Sequence, residues 1–381
     1  MCHGGIEVLV REIIRGTGDS YATFLVSADD LPDAVRASFP SIRDLFIWSL
    51  QADPADESLR LVDWLKKHRV DIAHFHFGTY GWYARSWSNC PIPHVSNSGI
   101  PCVSTNHGAF TLFDCVAPYR PLWFKLLSLP LFWPAKLRQI FHVRWEATVS
   151  LNDLSSVRKW FFPARAKFFQ LYHSKIHENE KHEISEKKLV ILCLGTVGER
   201  KGQQYLLEAF AQIAGSHPGW ELILAGRHGH GTTMARIEQL LQQNPAIRHR
   251  VKILPGVSDE TALDLLKTSA IFAMPSTAEG LGLSLQEAQF YGCACIGSRV
   301  GGIPELIEDE VTGILVPPAD SQALAAGLIR LIDNPELRTR FSEMGRQSIV
   351  ARGMTAERMV GKYLKLYEDT IQIGSDKSMI S

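Results

Sequence analysis

Residues 270–297 read AIFAMPSTAEGLGLSLQEAQFYGCACIG and contain an apolar run, a glycine loop, a helix-length segment and a second apolar run. The apolar runs Ala270 to Met274 and Ala294 to Gly297 carry no charged or polar side chain, which is typical of strands that are buried on both faces. Between them, Ser284 to Tyr291 is predicted to be helical. This order of elements predicts a parallel β-α-β unit.

The same alternation extends on both sides of this stretch. Further buried strands are predicted at Leu189 to Leu194, Glu221 to Ala225, Val251 to Leu254 and Gly313 to Val316. Helices are predicted at Leu206 to Ala214, Met234 to Leu241, Thr261 to Lys267, Pro304 to Ile307 and Ala323 to Ile332. The later half of the chain is therefore expected to be a doubly wound α/β domain with a parallel sheet.

The earlier half carries the same pattern less clearly. Strands are predicted at Ala22 to Val26, Ile72 to Phe77, Cys102 to Thr105 and Ala147 to Ser150, and helices at Glu7 to Arg15 and Leu59 to His68. We therefore expect an α/β fold with two Rossmann-like domains. Gly4-Gly5 stands directly before a helix, so the N-terminal domain is expected to lack its first strand. The alternative is that these two glycines are a flexible terminus.

A polar, charged stretch begins at residue 174 and separates the two patterns. It predicts an N-terminal domain over residues 1–173, a linker over 174–188 and a C-terminal domain over 189–352. Residues 353–381 are predicted to form a further helix, with apolar positions at helical spacing, and then a tail.

Composition excludes several classes of protein. The 381 residues have a formal net charge of zero, which gives no reason to expect a nucleic-acid partner. The seven cysteines include no C-x-x-C pair and indicate a reducing compartment. No secretory signal is visible and no apolar run approaches roughly 20 residues, so a cytoplasmic location is expected. No Asp-x-Asp pair stands at a strand end, so neither a metal ion nor another cofactor is expected.

The loop at residues 275–282 follows one apolar strand and precedes a helix, where open parallel sheets bind their ligands. Gly280 and Gly282 allow the backbone to approach a ligand closely and permit positive φ, and Leu281 between them is expected to belong to the same binding loop. The backbone N–H groups from Leu283 to Leu285 are expected to face a phosphate at the helix start. This pattern predicts binding of a diphosphate.

Two carboxylates flank this loop, Glu279 within it and Glu287 in the following helix. Carboxylates accept hydrogen bonds from sugar hydroxyls, so one is expected to hold a donor sugar and the other a ribose. The alternative for Glu287 is a capping box, because Ser284-x-x-Glu287 has the spacing of that motif.

A second glycine loop covers Gly195 to Gly202 and also follows an apolar strand. Gly198 allows an anion to approach, and Arg200 and Lys201 supply positive charge. Fixed cations would stabilise a departing nucleoside diphosphate as its negative charge grows. The alternative is a basic pair on a surface loop.

Taken together, the two loops resemble the family 4 glycosyltransferases, which have the two-domain GT-B fold. The Glu279-x7-Glu287 spacing is a hallmark of that family, and the resemblance runs from Leu189 to about Arg346 through Gly301-Gly302-Ile303-Pro304-Glu305 and Thr312 to Pro318. It implies two domains that face each other across a cleft, with the last helix crossing back to the N-terminal domain. It also implies retaining transfer from a nucleotide diphosphate sugar.

Within that resemblance, Glu279 contacts the donor sugar, Glu287 contacts the ribose, and Lys201 with a nearby arginine binds the diphosphate. One position departs from the family, in which arginine usually follows the glycine matched by Gly195. Thr196 stands there instead. We therefore hypothesise that Arg200 supplies the missing charge.

The earlier half carries a second resemblance. Thr105-Asn106-His107-Gly108 is similar to the family's Thr-x-His-Gly, whose histidine faces the donor sugar, and it implies a catalytic role for His107. Gly4 and Gly5 resemble the family's first glycine loop, which approaches the reacting centre. The family's Pro-Asn-Gly before the hinge is absent, and Tyr172-His173-Ser174 stands in its place.

The segment from Tyr119 to Trp145 interleaves aromatic and basic side chains. This mixture is typical of a surface that contacts membranes, or of a site for a lipid-linked acceptor. It would place the protein on the inner face of the membrane as a peripheral protein. The alternative is a core segment with a solvated basic edge.

The sequence thus predicts a hexosyltransferase that needs no metal and uses a nucleotide sugar. The acceptor is expected to be a glycan or lipid-linked precursor in polysaccharide biosynthesis. The alternative is a non-catalytic nucleotide-sugar-binding protein, which the missing first strand and Thr196 favour. A Rossmann oxidoreductase is disfavoured, because no G-x-G-x-x-G opens a helix ahead of an acidic residue.

Overall fold

The computed structural model describes residues 5–27, 30, 36–49, 51–77, 91–107, 123, 136–180, 186–229 and 232–378. The chain divides into two compact units. Unit 1 consists of residues 1–175 and 356–381, and unit 2 of residues 176–355. Every strand pair in both units is parallel among the described residues, so the predicted α/β class is confirmed.

Unit 1 contains the following strands: β1 (Thr23–Ser27), β2 (Ile42–Ile47), β3 (Ala73–Phe77), β4 (Cys102–Asn106), β5 (Glu146–Thr148) and β6 (Phe168–Gln170). Its helices are α1 (Gly5–Thr17), α2 (Pro54–Lys67), α3 (Pro91–Asn97), α4 (Leu151–Trp160) and the last helix of the chain, α12 (Ala356–Ser378), with a 3₁₀ turn at Phe162–Lys167. The strands form a pair, β1-β2, and a four-stranded sheet of order β3-β4-β5-β6.

Unit 2 contains β7 (Lys188–Leu194), β8 (Glu221–Ala225), β9 (Val251–Leu254), β10 (Ser269–Met274), β11 (Ala294–Ser298) and β12 (Gly313–Val316). Its helices are α5 (Gln203–Ile213), α6 (Thr233–Gln243), α7 (Asp259–Thr268), α8 (Leu283–Phe290), α9 (Ile303–Leu306), α10 (Ser321–Asp333) and α11 (Pro335–Ala351), with 3₁₀ turns at Glu199–Lys201 and Pro245–Arg250. The strand order is β12-β11-β10-β7-β8-β9.

The central strands of unit 2 are apolar because both of their faces are covered. Every residue of β10 and β11 is buried. The core of this unit includes Ile191, Phe210 and Leu328, each fully buried, which come from β7, α5 and α10. Helices on both sides of the sheet therefore exclude water from it, which explains why the strands read as uninterrupted apolar runs.

The last helix, α12, packs within unit 1. It lies against α1, where Gly16 approaches Val360 so closely that an added Cβ would lie 2.7 Å from a Val360 methyl carbon. Tyr363 of α12 is fully buried, and the indole N–H of Trp145 donates to the hydroxyl of Thr370 at 2.9 Å. Residues from both ends of the chain therefore build the core of unit 1.

The cysteine side chains that the structure describes, Cys102, Cys193, Cys293 and Cys295, are all buried free thiols. Among the described residues, no helix combines the length and apolar character that crossing a bilayer requires.

One basic residue of the aromatic and basic segment proves to be internal. Lys136 is buried, and its ammonium group donates to the carboxylate of Glu146 at 2.7 Å. It therefore does not belong to the solvated basic surface proposed from the sequence. Arg138, Phe141 and Arg144 are exposed, while most of residues 119–135 lies outside the described residues.

Candidate donor-binding site

Two loops of unit 2 meet at the carboxyl edge of its sheet. These donor loops, residues 195–202 and 275–282, follow β7 and β10, which are neighbouring parallel strands. Parallel neighbours end at the same edge, so both loops leave the sheet on one side. The N–H of Thr277 donates to the carbonyl oxygen of Arg200 at 2.8 Å and joins the two loops.

Gly202 allows this contact. Its φ is 66°, and a Cβ built there would lie 2.0 Å from the carbonyl oxygen of Pro275. Any larger residue would push the two loops apart, because backbone carbonyls cannot give way as a flexible side chain can. The second donor loop can therefore keep its position only because residue 202, at the end of the first loop, is glycine.

An ion-pair cluster links the two donor loops. The carboxylate of Glu279, 7% exposed, accepts a hydrogen bond from Lys201 Nζ at 2.5 Å. Arg200 Nη1 lies 3.6 Å from the other carboxylate oxygen, and the Ser276 hydroxyl donates at 3.3 Å. Three of the residues expected at the donor site are thus in direct contact, although 78 positions separate Lys201 from Glu279.

The charge state of Glu279 follows from these neighbours. Burial raises the pKa of its carboxyl group. The positive charges of Lys201 and Arg200 and the hydrogen bonds from Lys201 and Ser276 lower that pKa, and together they outweigh the effect of burial. The pKa therefore lies below its usual value. At neutral pH the cluster holds one carboxylate between two cations, which leaves one net positive charge for an anion.

The start of α8 offers backbone donors beside this cluster. Gly282 precedes the helix with a φ of 96°, while Gly280 does not have the positive φ that the sequence suggested. The N–H groups of Leu283 and Ser284 have no acceptor among the described residues, but Leu285 N–H donates to Gly282 at 3.0 Å. Two free N–H groups are therefore available to an anion, rather than the three expected.

The capping-box alternative for Glu287 is wrong. The N-cap of α8 is Gly282, and no side chain caps the helix. Ser284 lies inside the helix, and its hydroxyl donates to the carbonyl oxygen of Leu194 at 3.0 Å. Glu287 is buried in the following turn, 7% exposed. Helix capping therefore does not explain the position of the Glu287 carboxylate.

The glycine pair Gly301-Gly302 packs against the backbone of the second donor loop, although it was not predicted to belong to the site. A Cβ at Gly301 would lie 1.7 Å from the carbonyl oxygen of Glu279, and a Cβ at Gly302 would lie 2.3 Å from that of Gly280. The pair follows β11, which neighbours β10. A glycine pair that follows a predicted strand was the feature of the sequence from which its place at the site could have been predicted.

Gln203 was also missed, and it holds the first donor loop. This buried side chain accepts from the N–H of Gly198 at 3.3 Å and donates to the carbonyl oxygen of Thr196 at 3.1 Å. The loop after β8 packs on the other side, where Val197 N–H donates to the carbonyl oxygen of Arg227 at 2.7 Å. The backbone carbonyl oxygen of Thr196 is therefore held by Gln203, and the N–H of the next residue is held by the loop after β8.

The remaining site predictions fall in unit 1. His107 directly follows β4, and its ring packs against the rings of His76 and His173. Gly5 is the first residue of α1, while Gly4 lies outside the described residues. In unit 2, Leu281 is buried.

Two family models together match most of the chain and leave residues 1–2, 168–173 and 349–381 unmatched. The model described as Glycosyltransferase Family 4 matches residues 3–167, and the one described as Glycosyl transferases group 1 matches residues 174–348. The chain belongs to glycosyltransferase family 4. The donor loops both lie within the second match, so the site belongs to the part of the chain that the group 1 model describes.

Several relatives match part of this chain. N-acetyl-alpha-D-glucosaminyl L-malate synthase of Bacillus anthracis is 33% identical over 193 residues, which are 51% of this chain and 49% of that protein. A GDP-mannose-dependent phosphatidylinositol monomannoside mannosyltransferase of Corynebacterium glutamicum is 31% identical over 169 residues, 42% of each chain. The chain thus spans about half the length of these curated relatives.

Solved structures match nearly the whole chain. A glycosyltransferase from Rickettsia africae superposes with a TM-score of 0.74 at 18% identity and covers 97% of this chain and 96% of its own. HepE from Anabaena, crystallised with UDP, gives 0.73 at 17% identity and covers 96% of both chains. At this level of identity the likeness concerns the fold alone, and the GT-B prediction is confirmed.

Proposed function

We propose that this chain is a retaining glycosyltransferase that moves a hexose-type sugar from a nucleotide diphosphate sugar. The observation that carries the proposal is the Lys201–Glu279–Arg200 cluster, held between two joined loops beside free helix N–H groups. Cations and backbone donors suit a diphosphate, and a buried carboxylate suits sugar hydroxyls. HepE, a protein of the same fold, binds UDP, which supports this assignment.

In this proposal each group has one task. The diphosphate lies against Lys201, Arg200 and the N–H groups of Leu283 and Ser284. As the bond from sugar C1 to the phosphate oxygen breaks and a bond from C1 to the acceptor oxygen forms, these groups stabilise the charge that develops on the leaving diphosphate, which takes up the proton of the acceptor hydroxyl. When the donor binds, its diphosphate replaces Glu279 as the partner of Lys201. The carboxylate of Glu279 is thereby free to accept hydrogen bonds from the sugar. Glu287 holds the ribose.

The acceptor side is proposed more coarsely. His107 is proposed to hydrogen-bond the transferred sugar, and Gly5 with Gly4 to line the approach of the acceptor. The acceptor is proposed to be a glycan or lipid-linked precursor of a polysaccharide. The name of the Corynebacterium relative, a phosphatidylinositol monomannoside mannosyltransferase, supports the lipid-linked choice. The exposed Arg138, Phe141 and Arg144 agree with peripheral contact with an anionic membrane from the cytoplasmic side.

A donor screen tests the proposal. We expect one of UDP-, GDP- and ADP-sugars to raise the melting temperature, with a stabilisation of about 2.7 kcal/mol when the sugar is present at one hundred times its Kd. Purified protein should then release the nucleoside diphosphate. Stabilisation without release would favour the non-catalytic alternative, and no stabilisation by any sugar would contradict both. Release that stops in EDTA and returns with Mg²⁺ would overturn the metal-independent part of the proposal.

The compensation for Thr196 can be tested by Arg200→Ala. We expect donor affinity to fall about tenfold, the loss typical of one charge-assisted hydrogen bond. The measurement is calorimetric titration with the donor found by the screen. Arg236→Ala is the matched control, because Arg236 also faces a carboxylate, that of Glu208 at 3.3 Å, outside the donor loops. Unchanged donor affinity in Arg200→Ala would show that Arg200 does not supply the missing charge.

A further inference from the structure

Four histidine rings form a continuous cluster in unit 1. The ring centroids of His74 and His76 lie 4.0 Å apart, those of His76 and His107 5.2 Å, and those of His107 and His173 4.9 Å. His74 and His76 point to one face of β3, because they are two residues apart, and His107 follows the neighbouring strand β4. The cluster therefore includes His107, the histidine that is proposed to hydrogen-bond the sugar.

One hydrogen bond in this cluster acts directly on His107. Nδ1 of His76 lies 2.9 Å from Nε2 of His107. The other ring nitrogen of His107, Nδ1, is buried and has no partner among the described residues. A neutral imidazole has one donor and one acceptor nitrogen, so fixing the role of Nε2 also fixes the role of Nδ1.

The cluster is anchored from behind by α12. His74 Nδ1 lies 2.6 Å from the hydroxyl of Tyr367, and His74 Nε2 lies 2.8 Å from the hydroxyl of Thr105. The Tyr363 hydroxyl lies 2.9 Å from that of Thr105 and 2.7 Å from Nε2 of His173. Two strands and one helix thus hold the rings in place, which limits the movement left to His107.

The rings are held in their neutral form. Burial lowers the pKa of His76 to about 4 and that of His173 to about 3. Burial is also the largest cause of the lowered pKa values of His74 and His107, and the neighbouring imidazoles lower them further. At neutral pH a hydrogen bond between two neutral rings requires one defined tautomer of each ring.

We propose that His76 is a positioning residue for sugar transfer, because its Nδ1 engages Nε2 of His107 and leaves Nδ1 of His107 as the nitrogen that meets a sugar hydroxyl. This inference rests on the proposed function, in which His107 contacts the sugar. His76 does not touch the substrate itself. It sets the orientation and the tautomer of the ring that does.

Two substitutions at His76 separate this role from simple packing. His76→Phe keeps a ring that can stack on His74 but removes the nitrogen that bonds His107. His76→Asn loses the ring, yet its amide reaches the position of the lost Nδ1 and can donate or accept there. A packing role predicts that phenylalanine is the better replacement, and a positioning role predicts asparagine.

We expect His76→Phe to lower kcat about tenfold and His76→Asn to stay within roughly threefold of the unchanged protein, since one hydrogen bond in the reacting state is worth about a factor of ten. Release of nucleoside diphosphate from UDP-glucose, or from the UDP-, GDP- or ADP-sugar with the largest thermal shift, is the assay. The double variant His76→Phe/His107→Ala should be no slower than His107→Ala alone. His68→Phe is the matched control, because His68 also packs against aromatic rings in unit 1.

A spectroscopic measurement provides a second readout. Two-bond ¹H–¹⁵N correlation spectra report imidazole tautomers, and we expect His76→Phe to change the tautomer of His107 while His76→Asn preserves it. If His107→Ala leaves kcat unchanged, the role of His107 in the proposed function fails. If His107→Ala lowers kcat but His76→Phe does not, only the positioning role fails. Should His76→Phe not fold, His76→Gln takes its place, because its longer amide reaches the Nε2 position and should be as slow.

Discussion

Glu279→Gln is expected to lower kcat for transfer about 10²- to 10³-fold, the loss seen when a charge-stabilising group is removed from an active site. Glutamine keeps the size of the side chain, but an NH₂ group, which donates hydrogen bonds, replaces one of the two carboxylate oxygens. It can no longer accept hydrogen bonds from sugar hydroxyls with both ends. The measurement is the rate of nucleoside diphosphate release with saturating donor.

The same variant should bind the free nucleoside diphosphate better. Lys201 donates a hydrogen bond to Glu279 at 2.5 Å, and a diphosphate that binds Lys201 has to replace this contact. Removing the carboxylate charge frees Lys201, so affinity for the nucleoside diphosphate should rise roughly threefold or more. Slower turnover together with tighter product binding is a combination that loss of structure does not produce.

Glu310→Gln is the matched control for this experiment. Glu310 is an exposed carboxylate of unit 2 that pairs with Arg330 through two contacts of 2.7 Å. It should leave both kcat and nucleotide affinity unchanged. The assignment of Glu279 would be lost if Glu279→Gln kept more than about a third of the original kcat, a change smaller than one hydrogen bond supplies.

Gly301→Ala is expected to have the largest effect on stability, with a loss of at least about 3 kcal/mol in the free energy of unfolding. Its φ is 54°, and the added methyl carbon would lie 1.7 Å from the carbonyl oxygen of Glu279. Because that oxygen belongs to the backbone, the second donor loop has to move. Donor-induced stabilisation should disappear with it.

Gly256→Ala separates the two causes. Gly256 has a similar φ of 66°, but nothing lies within 4 Å of an added Cβ. This variant carries the conformational strain alone and should cost about 1–2 kcal/mol. Urea unfolding followed by circular dichroism measures both variants. Equal losses in the two would mean that the close approach of Gly301 to Glu279 contributes nothing.

The strands of unit 2 could be predicted from the sequence because each contains mainly apolar residues, although Lys252 interrupts β9, while helix α11 was not predicted. The predicted strand at Ala294 to Gly297 and the observed Ala294–Ser298 differ by one residue. In unit 1 the pattern was weaker. β2 was missed because Arg43 and Asp44 interrupt its apolar residues, and α3 because it contains Pro91 and Pro93.

The donor site was predicted only in part. Glycine loops and carboxylates after apolar strands identify the loops, since the carboxyl ends of parallel strands meet at one edge. The ion pair between Lys201 and Glu279 could not be predicted, because it depends on β7 and β10 being neighbours. The anchoring of His74 by Tyr367 spans 293 positions and has no local signal at all.

The order in which the chain is synthesised does not match the order in which its units can be completed. Unit 2 is one continuous stretch, residues 176–355, whereas unit 1 needs Ala356–Ser378 to fill its core. On the ribosome, residues 5–175 would therefore emerge first and wait, with His74 and Thr105 still lacking their tyrosine partners. Translation can finish unit 2 before unit 1, so this nascent chain reverses the usual N-terminal-first sequence of domain folding.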